Sequence, residues 1–334
     1  MRPTLSDIAR QLGISKMTVS RALRGAPHVG AEVRERVLHA AQQAGYRPDP
    51  EISRLMTHMR KGRAKVSAEK IAFIWAEREE QPCERVTWTR QVLQGAARQA
   101  VQLGYDVEEF FLWQRGMSGR RLSSILEARG IRSLILSPLV SRSRGHVSLA
   151  WAKFASVIVG LGFARPALHR VHHHHFLGMM TALRMLKKER HRRIGLYCSS
   201  ILNERMFGAW SACFLAHHPL PRPGGLLALR RPPSREDFFA WLEKEKPEVV
   251  IDSGHQLLDW LKELPAADRP ALATLSWRAD LPQVPGIDQQ AESLGEAAVD
   301  LLAAQMQQNQ RGIPVVPRLV MTEGVWRPAV GSIA

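Results

Sequence analysis

Cysteine is scarce in this chain of 334 residues, and the three that occur lie far apart. Cys83, Cys198 and Cys213 form no C-x-x-C pair, so neither a disulfide framework nor a cysteine zinc site is expected. No apolar run is long enough to span a membrane. The residues that follow Met1 are polar, which argues against a signal peptide. These absences predict reduced thiols and a cytoplasmic protein.

Acidic residues are also few, with 31 Asp and Glu against 47 Lys and Arg and a formal net charge of +16. The imbalance is concentrated at one end, because residues 1–66 carry 13 basic and only 5 acidic side chains. Nucleic acid is the natural counterion of such a segment. The chain length predicts two or three domains, and the hydrophobic content of 45% is sufficient for their cores.

Residues 4–24 have the pattern of two short helices joined by a tight turn. Ser6 is predicted as the N-cap of the first helix, Gly13 as the residue that ends it, and Ser15 as the cap of the second. The apolar residues of the first helix recur at helical spacing and predict one buried stripe, made of Leu5, Ile8, Ala9 and Leu12.

The second helix has an apolar back and a basic front. Val19, Ala22 and Leu23 face the first helix, and no acidic residue occurs between Lys16 and Arg24. The outward positions are Lys16, Met17, Ser20, Arg21 and Arg24. A solvated surface hairpin is the alternative. The short turn, the basic front and a third amphipathic helix over 31–44 favour a helix-turn-helix bundle, whose second helix enters the major groove.

A connector follows this bundle. Prolines break the chain after Tyr46, and Glu51–Arg60 predicts a short helix with Leu55 among its apolar residues. This helix is either a packed linker or a hinge that folds on DNA and inserts an apolar wedge into the minor groove. The basic run that ends at Lys65 is predicted to be a phosphate-facing linker.

From Lys70 onward, short apolar runs alternate with amphipathic helices. Examples are Ile71–Trp75 followed by Thr89–Leu103, and Ile194–Cys198 followed by Arg205–His217. This alternation predicts parallel sheets covered by helices. The length of the region predicts two α/β subdomains with a ligand cleft at the carboxyl ends of the strands.

The N-terminal sequence closely resembles the DNA-binding domain of the lac repressor family of bacterial transcription regulators. The match is carried by TLSDIARQLGISKMTVSRALRGAPHV and RERVLHAAQQAGYRPDP. The resemblance implies an all-α helix-turn-helix bundle plus hinge helix, then an α/β effector domain with the periplasmic-binding-protein-like fold of two parallel-sheet subdomains. The expected domains are 1–46, 47–66 and 67–334. The expected subdomains are 67–162 plus 289–320, and 163–288 plus 321–334.

The resemblance assigns DNA-binding roles to seven positions. It implies base contacts for Lys16, Met17 and Arg21, and contacts to phosphates or flanking bases for Thr18, Ser20 and His28. The hinge wedge of the family matches Leu55. Arginine and lysine can pair with guanine in the major groove, whereas a methionine offers only apolar contact. Gly30 stands where the family often has a serine that caps the third helix.

The effector half departs from the family at several ligand positions. His174-His175, Gly254-His255 and Ser276-Trp277 stand where the family often has acidic or amide side chains. Because aspartates hold sugar hydroxyls, the cleft is expected to take an acidic ligand, a more aromatic one, or none. The implied effector-binding residues are Arg205, His175, His255, Ser276 and Trp277. Asp288 is a remaining carboxylate expected near the cleft or the subdomain crossover.

The run His172–His175 raises the question of a metal site. Consecutive histidines on a strand point to alternate sides, so four cannot easily bind one ion. A pH-sensitive loop and a solvated start of a helix are the alternatives. No metal, cofactor or catalytic residue is predicted, since the chain has no Walker loop, G-x-S-x-G or H-E-x-x-H motif.

Together these patterns predict a sequence-specific, nucleoid-associated transcription regulator, and in particular a repressor. A homodimer would bind a palindromic DNA operator, and a small-molecule effector, carbohydrate or otherwise, would modulate its affinity. One alternative is a regulator with a degenerate pocket that acts without ligand. Another is a small-molecule binding protein or an enzyme on the same scaffold. The choice between dimer and tetramer stays open.

Overall fold

A computed structural model describes residues 4–23, 29–44, 46, 69–76, 84–112, 114–137, 145–254 and 256–331. The side chains of residues 84–86, 145–146 and 163–164 are not included in this description. The predicted hinge and linker, with Leu55, lie outside the described residues, as do His28 and His255.

Three helices form the N-terminal bundle: α1 (Leu5–Leu12), α2 (Lys16–Leu23) and α3 (Ala31–Gln43). Their shared core contains Ile8, Val19 and Val37, each with no exposed surface. Tyr46 packs against this core from beyond α3, as predicted. Since each helix is short, this shared burial provides most of the stability of the bundle.

The ends of the first two helices are fixed by local hydrogen bonds. Thr4, and not the predicted Ser6, is the N-cap of α1: the Thr4 hydroxyl accepts from the Asp7 amide, and the Asp7 carboxylate accepts from the Thr4 amide. This reciprocal capping box requires an acidic residue three positions after the cap. Gly13 ends α1 with a φ of 65°, and the Ser15 hydroxyl accepts from the Thr18 amide at 3.0 Å; both were predicted.

The first sheet is entirely parallel. Its strands, in spatial order, are β13 (Leu319–Thr322), β7 (His169–His173), β5 (Ala155–Val159), β3 (Ser133–Leu136), β1 (Glu69–Trp75) and β2 (Tyr105–Phe111). The central strands are buried on both faces, which explains their continuous apolar runs. Nearby, β4 (Gly145–His146) and β6 (Phe163–Arg165) form a small two-stranded sheet.

The second sheet is parallel except at one edge. Its order is β14 (Val325–Arg327), β12 (Gly286–Asp288), β11 (Ala271–Thr274), β10 (Val249–Asp252), β8 (Ile194–Ser199) and β9 (Leu227–Arg230). Only β14, which pairs with β12, runs antiparallel to its neighbour. This pair of sheets matches the predicted two-subdomain architecture.

Helices cover both sheets. They are α4 (Glu84–Leu103), α5 (Gly119–Ala128), α6 (His175–Lys188), α7 (Ser200–Arg205), α8 (Ala209–His217), α9 (Arg235–Glu245), α10 (Gln256–Lys262) and α11 (Ala291–Gln307). The predicted single helix from Arg205 to His217 is two helices, because Phe207 and Gly208 adopt the left-handed conformation, with φ values of 52° and 71°.

Strand pairing moves the predicted subdomain boundary. The boundary between residues 162 and 163 would put β7 in the second subdomain, but β7 pairs with β5 and β13 in the first sheet. The chain therefore crosses between His173, the last residue of β7, and His175, the first residue of α6. It crosses again between Asp288 and Ala291, and a third time between Thr322 and Val325.

Helix α11 returns to the first subdomain and packs tightly on α4. A Cβ on Gly95 would overlap the Glu292 carbonyl, and one on Gly295 would overlap the Val92 carbonyl. The two glycines thus permit the backbones to approach more closely than side chains would allow. The Arg98 guanidinium joins the helices further by pairing with Glu292 and with Glu296.

Candidate functional site

Helix α2 presents an exposed face of long side chains. Lys16, Met17 and Arg21 are exposed, with Met17 at 61%, while Val19 and Ala22 on the opposite face are buried. The burial of one face against α1 and α3 fixes the orientation of the other. A single exposed methionine is ordinary on a protein surface, so it is the two exposed basic side chains that characterise this face.

The exposed face of α2 has hydrogen-bond donors and no carboxylate. Asp7, the acidic residue of α1, is engaged at the start of that helix, where the Thr4 hydroxyl lowers the pKa of its carboxyl group. Thr18 and Ser20 are half-buried beside the face, and the Thr18 hydroxyl lies 2.8 Å from that of Ser15. Such a surface suits the acceptor-rich edge of guanine and the phosphates of a duplex.

The N-terminal segment matches a known family model. Residues 4–49 match the model described as bacterial regulatory proteins, lacI family. This N-terminal segment is thus similar to the DNA-binding part of lacI-family regulators. The matched residues contain all three helices of the bundle, so the family resemblance seen in the sequence is confirmed.

The curated relatives that match parts of this chain are transcriptional regulators. The HTH-type transcriptional regulator AglR of Rhizobium meliloti is 51% identical over 57 residues, which are 17% of this chain and 16% of AglR. The regulator Rv3575c of Mycobacterium tuberculosis is 27% identical over 235 residues, or 63% of this chain and 62% of that protein. The matched part thus spans less than two thirds of either relative.

Solved structures share the fold over nearly the whole chain. A complex of the transcriptional regulator CelR with cellobiose has a TM-score of 0.57 at 17% identity, covering 97% of this chain and 98% of that one. A lac repressor dimer bound to operator and the anti-inducer ONPF has a TM-score of 0.55 at 18% identity, covering 98% of both chains. These likenesses confirm the predicted fold class.

Of the predicted effector residues that the structure describes, Arg205, Ser276 and Trp277 lie beyond the carboxyl ends of strands of the second sheet, and His175 lies beyond that of β7 in the first sheet. Arg205 ends α7, which follows β8, and is half-buried. Ser276 and Trp277 follow β11, with the Ser276 amide donating to the Thr274 hydroxyl at 3.1 Å. His175 begins α6. Positions after the carboxyl ends of parallel strands are where α/β proteins generally bind ligands, and the roles of these residues stay predictions.

Trp277 is covered by an ion pair. The Arg327 guanidinium lies 5.5 Å from the centre of the Trp277 ring and donates to the Asp288 carboxylate at 2.9 and 3.1 Å. Asp288 also accepts from the Gln290 amide. The remaining carboxylate noted in the sequence therefore lies at the second crossover with its oxygens engaged. The contribution of Arg327 was missed because β14 has no apolar run that marks it as a strand.

His175 lies in a cluster of rings. Its imidazole is 5.1 Å from that of His173 and 6.2 Å from that of His172, measured between ring centres, and it meets the buried Trp210 ring edge-on at 5.6 Å. Neighbouring His174 caps α6, since its Nδ1 accepts from the Leu177 amide at 3.2 Å. The alternative of a solvated helix start does not describe these three rings, because His172 and His173 are buried and His175 is half-buried.

Burial controls the charge of these imidazoles. It lowers the pKa of His172, lowers that of His173 to about 4 and lowers that of His175 well below its ordinary value; in each case the neighbouring histidines add to the effect. The rings are therefore neutral near pH 7. In the part of the chain that the structure describes, no group of three His, Cys, Asp or Glu side chains is arranged to hold a metal ion.

Asp252 is a buried carboxylate at the end of the central strand β10, and the sequence analysis did not single it out. It is 2% exposed and accepts from the amides of Ser253, Gly254 and Leu257. These bonds organise the loop before α10, so the carboxylate has a structural role. An acid at the end of the apolar run VVID was the signal that could have found it.

Two surface cavities lie at the other ends of the sheets. One borders Glu69 and Tyr105, which begin β1 and β2, and the second borders Glu248 and Pro270, which precede β10 and β11. Both are thus at amino ends of strands, away from the predicted effector residues. Among the described residues, no helix is long and apolar enough to cross a membrane.

Proposed function

We propose that this chain is a sequence-specific DNA-binding transcription regulator, and in particular a repressor. The observation that carries the proposal is the donor-rich exposed face of α2, with Lys16, Met17 and Arg21 held outward by a buried back. In the proposed complex, α2 lies in the major groove, where Arg21 and Lys16 contact guanine edges and Met17 contacts a thymine methyl group.

A homodimer with two such bundles would read two half-sites of a palindromic operator. The effector domain would change the separation of the bundles when a small molecule binds between its subdomains, which couples ligand affinity to DNA affinity. Two structural neighbours, a CelR complex with cellobiose and a lac repressor dimer bound to operator and an anti-inducer, support this assignment by analogy of fold.

A regulator that acts without a ligand is the second candidate. It is favoured by the engaged state of the cleft groups, because Arg327 binds Asp288 and covers Trp277, while His175 packs on Trp210. In this alternative the α/β body serves only for dimerisation. The proposal assigns no catalytic residue in either case.

Selection of bound sequences from a random duplex library at a stated salt concentration tests the proposal. We expect one palindromic motif with two half-sites and, if Leu55 has its predicted wedge role, a flexible central step. Binding without any motif that weakens steadily with salt would contradict the proposal, since it would reduce the basic N-terminal region to a nonspecific electrostatic anchor.

A further inference from the structure

Three imidazoles occupy the first crossover between the subdomains. We call His172, His173 and His175 the crossover histidines. The His173 ring packs closely against two glycines. Its Nε2 lies 2.5 Å from where a Cβ of Gly178 in α6 would be, and its Cε1 lies 2.6 Å from where a Cβ of Gly324 in the third crossover would be. The His172 and His175 rings lie nearly parallel, at an interplanar angle of 6°.

These rings retain unused hydrogen-bonding capacity. Among the described residues, His172 Nε2 and His175 Nδ1 are buried and have no hydrogen-bond partner. The other nitrogen of His172 is engaged, because Nδ1 lies 2.8 Å from the His173 carbonyl oxygen and therefore carries the proton. A neutral His172 thus has a bare acceptor at Nε2, which becomes a donor only when the ring is protonated.

Carboxylates, by contrast, are already satisfied in this region. The Asp252 carboxylate accepts three backbone amides, and that of Asp288 accepts from Arg327 and from the Gln290 amide. A further buried nitrogen without a partner is Trp277 Nε1, which can only donate. Once the imidazoles are protonated, their unused nitrogens are donors like Trp277 Nε1 and match a ligand that brings acceptors. The carboxylates of Asp252 and Asp288, which could otherwise receive sugar hydroxyls, already accept hydrogen bonds.

We propose that the crossover histidines bind an oxyanion of the effector, a carboxylate or a phosphate group, and take up a proton as they do so. The inference rests on the proposed function, because it concerns the ligand of the same regulator. The ligand would reach the rings when the two subdomains separate at the crossovers, since the unpartnered nitrogens are buried in the structure described here.

Proton uptake follows from the electrostatics of the site. Burial keeps the free imidazoles neutral by lowering the pKa of each ring, and an anion placed beside them would raise it. Where the solution pH lies between the free and bound values, affinity falls as pH rises, by up to about tenfold per pH unit for each proton. A bound value near 7 gives about a tenfold loss between pH 6 and pH 8.

The charged groups around the crossover histidines fit this role. Arg170, on the same strand, lowers the pKa of His172, and the neighbouring His174 acts on all three rings in the same direction. Asp288, from β12, opposes this for His173, but it is shared with Arg327. The packed side chain of α8 is the uncharged Trp210, and β13 contributes the Thr322 carbonyl, which raises the pKa of His173.

Three probes that differ only at one carbon test the proposal on the full chain: glucose, glucuronate and glucose 6-phosphate. Thermal unfolding is followed by tryptophan fluorescence, which reports on the α/β region because all nine tryptophans lie beyond residue 69. At equal ionic strength, we expect at least one anion to stabilise at tenfold lower concentration than glucose. The two anions distinguish a carboxylate receptor from a phosphate receptor. Equal effects of all three, or none, would overturn the proposal.

Proton uptake is measured on the unmodified protein by titration calorimetry with the effective anion in two buffers of different ionisation enthalpy. We expect a buffer-dependent enthalpy with uptake and, for glucuronate, about tenfold weaker binding at pH 8 than at pH 6. The His175→Gln variant should lose both effects, and His39→Gln, which removes an exposed imidazole from α3, should keep them. Should H175Q not fold, His172→Gln takes its place.

The outcomes separate this inference from the proposed function. A protein that selects an operator motif but binds the anions without proton uptake refutes the histidine receptor and leaves DNA recognition intact. A protein that takes up a proton with the anion but selects no motif supports the receptor and contradicts the regulator.

Discussion

Truncation of Arg21 to alanine distinguishes base recognition from simple charge attraction. Arg21 is exposed in the last turn of α2, where its charge stabilises the helix dipole by about 0.3–1 kcal/mol. The free energy of unfolding of the bundle should therefore fall by no more than about 1 kcal/mol. Loss of a bidentate contact to guanine costs about 1–3 kcal/mol, which is roughly a 5- to 150-fold weaker operator complex.

The assay is competitive binding to the selected operator and to single-base variants of it over a range of salt concentrations. A base contact predicts that Arg21→Ala loses discrimination at one base pair per half-site while its salt dependence stays unchanged. A phosphate contact predicts the reverse: uniform weakening, and a slope of log affinity against log salt that is shallower by about 0.9 per half-site.

The matched control is Arg36→Ala, which removes the same charge from the exposed side of α3. It should keep full discrimination at every base pair. If Arg21→Ala weakens all sequences equally, or if Arg36→Ala relaxes specificity at the same position, the assignment of Arg21 to a base edge is wrong.

Three stability predictions follow from the packing. Gly295→Ala should lower the free energy of unfolding, measured in urea, by about 1–3 kcal/mol, because the new Cβ would overlap a carbonyl of α4. The control Gly224→Ala has open space around the new Cβ and should lower it by under about 1 kcal/mol. Thr4→Ala should lower the free energy of unfolding of the bundle, followed by circular dichroism, by about 0.5–2 kcal/mol, and Ser6→Ala should lower it clearly less. The opposite order would contradict the assignment of Thr4 as the N-cap. Because the pKa of His173 is about 4 when folded and near 6.5 when unfolded, the unfolded chain binds more protons between these values. Stability of the α/β region should thus fall as pH drops from 6.5 to 4, and the fall should be smaller in His173→Gln; equal pH profiles would refute the role of this ring.

Local chemistry made most of the fold predictable. Gly13 and Ser15 predict the turn between the first two helices, and continuous apolar runs such as Ile71–Trp75 predict strands that are buried on both faces. Strand β7 was not predicted, because its sequence HRVHH contains no such run. It is held by pairing with strands that are distant in sequence, including β13 near the end of the chain. Tertiary packing buries these histidines despite their polar character, and the periodicity of the sequence cannot predict that burial.

The candidate site divides in the same way. The exposed face of α2 follows from helical periodicity, so Lys16, Met17 and Arg21 could be placed outward from the sequence alone. The engagement of Asp288 by Arg327 could not, because the two residues are 39 positions apart and meet only through the antiparallel pairing of β12 and β14. His28, Leu55 and His255 stay predictions.

The triple crossing of the chain has a consequence for synthesis. The first sheet begins at Glu69 but lacks its edge strand until Leu319–Thr322 has been synthesised. The packing of α11 on α4 likewise requires long-range contacts, such as that of Arg98 with Glu296, 198 residues later. Loop closure over such distances is slow. The N-terminal bundle needs only contacts within residues 4–46. The N-terminal bundle can therefore form during synthesis well before the α/β region is complete, and premature termination would leave bundles that lack this region.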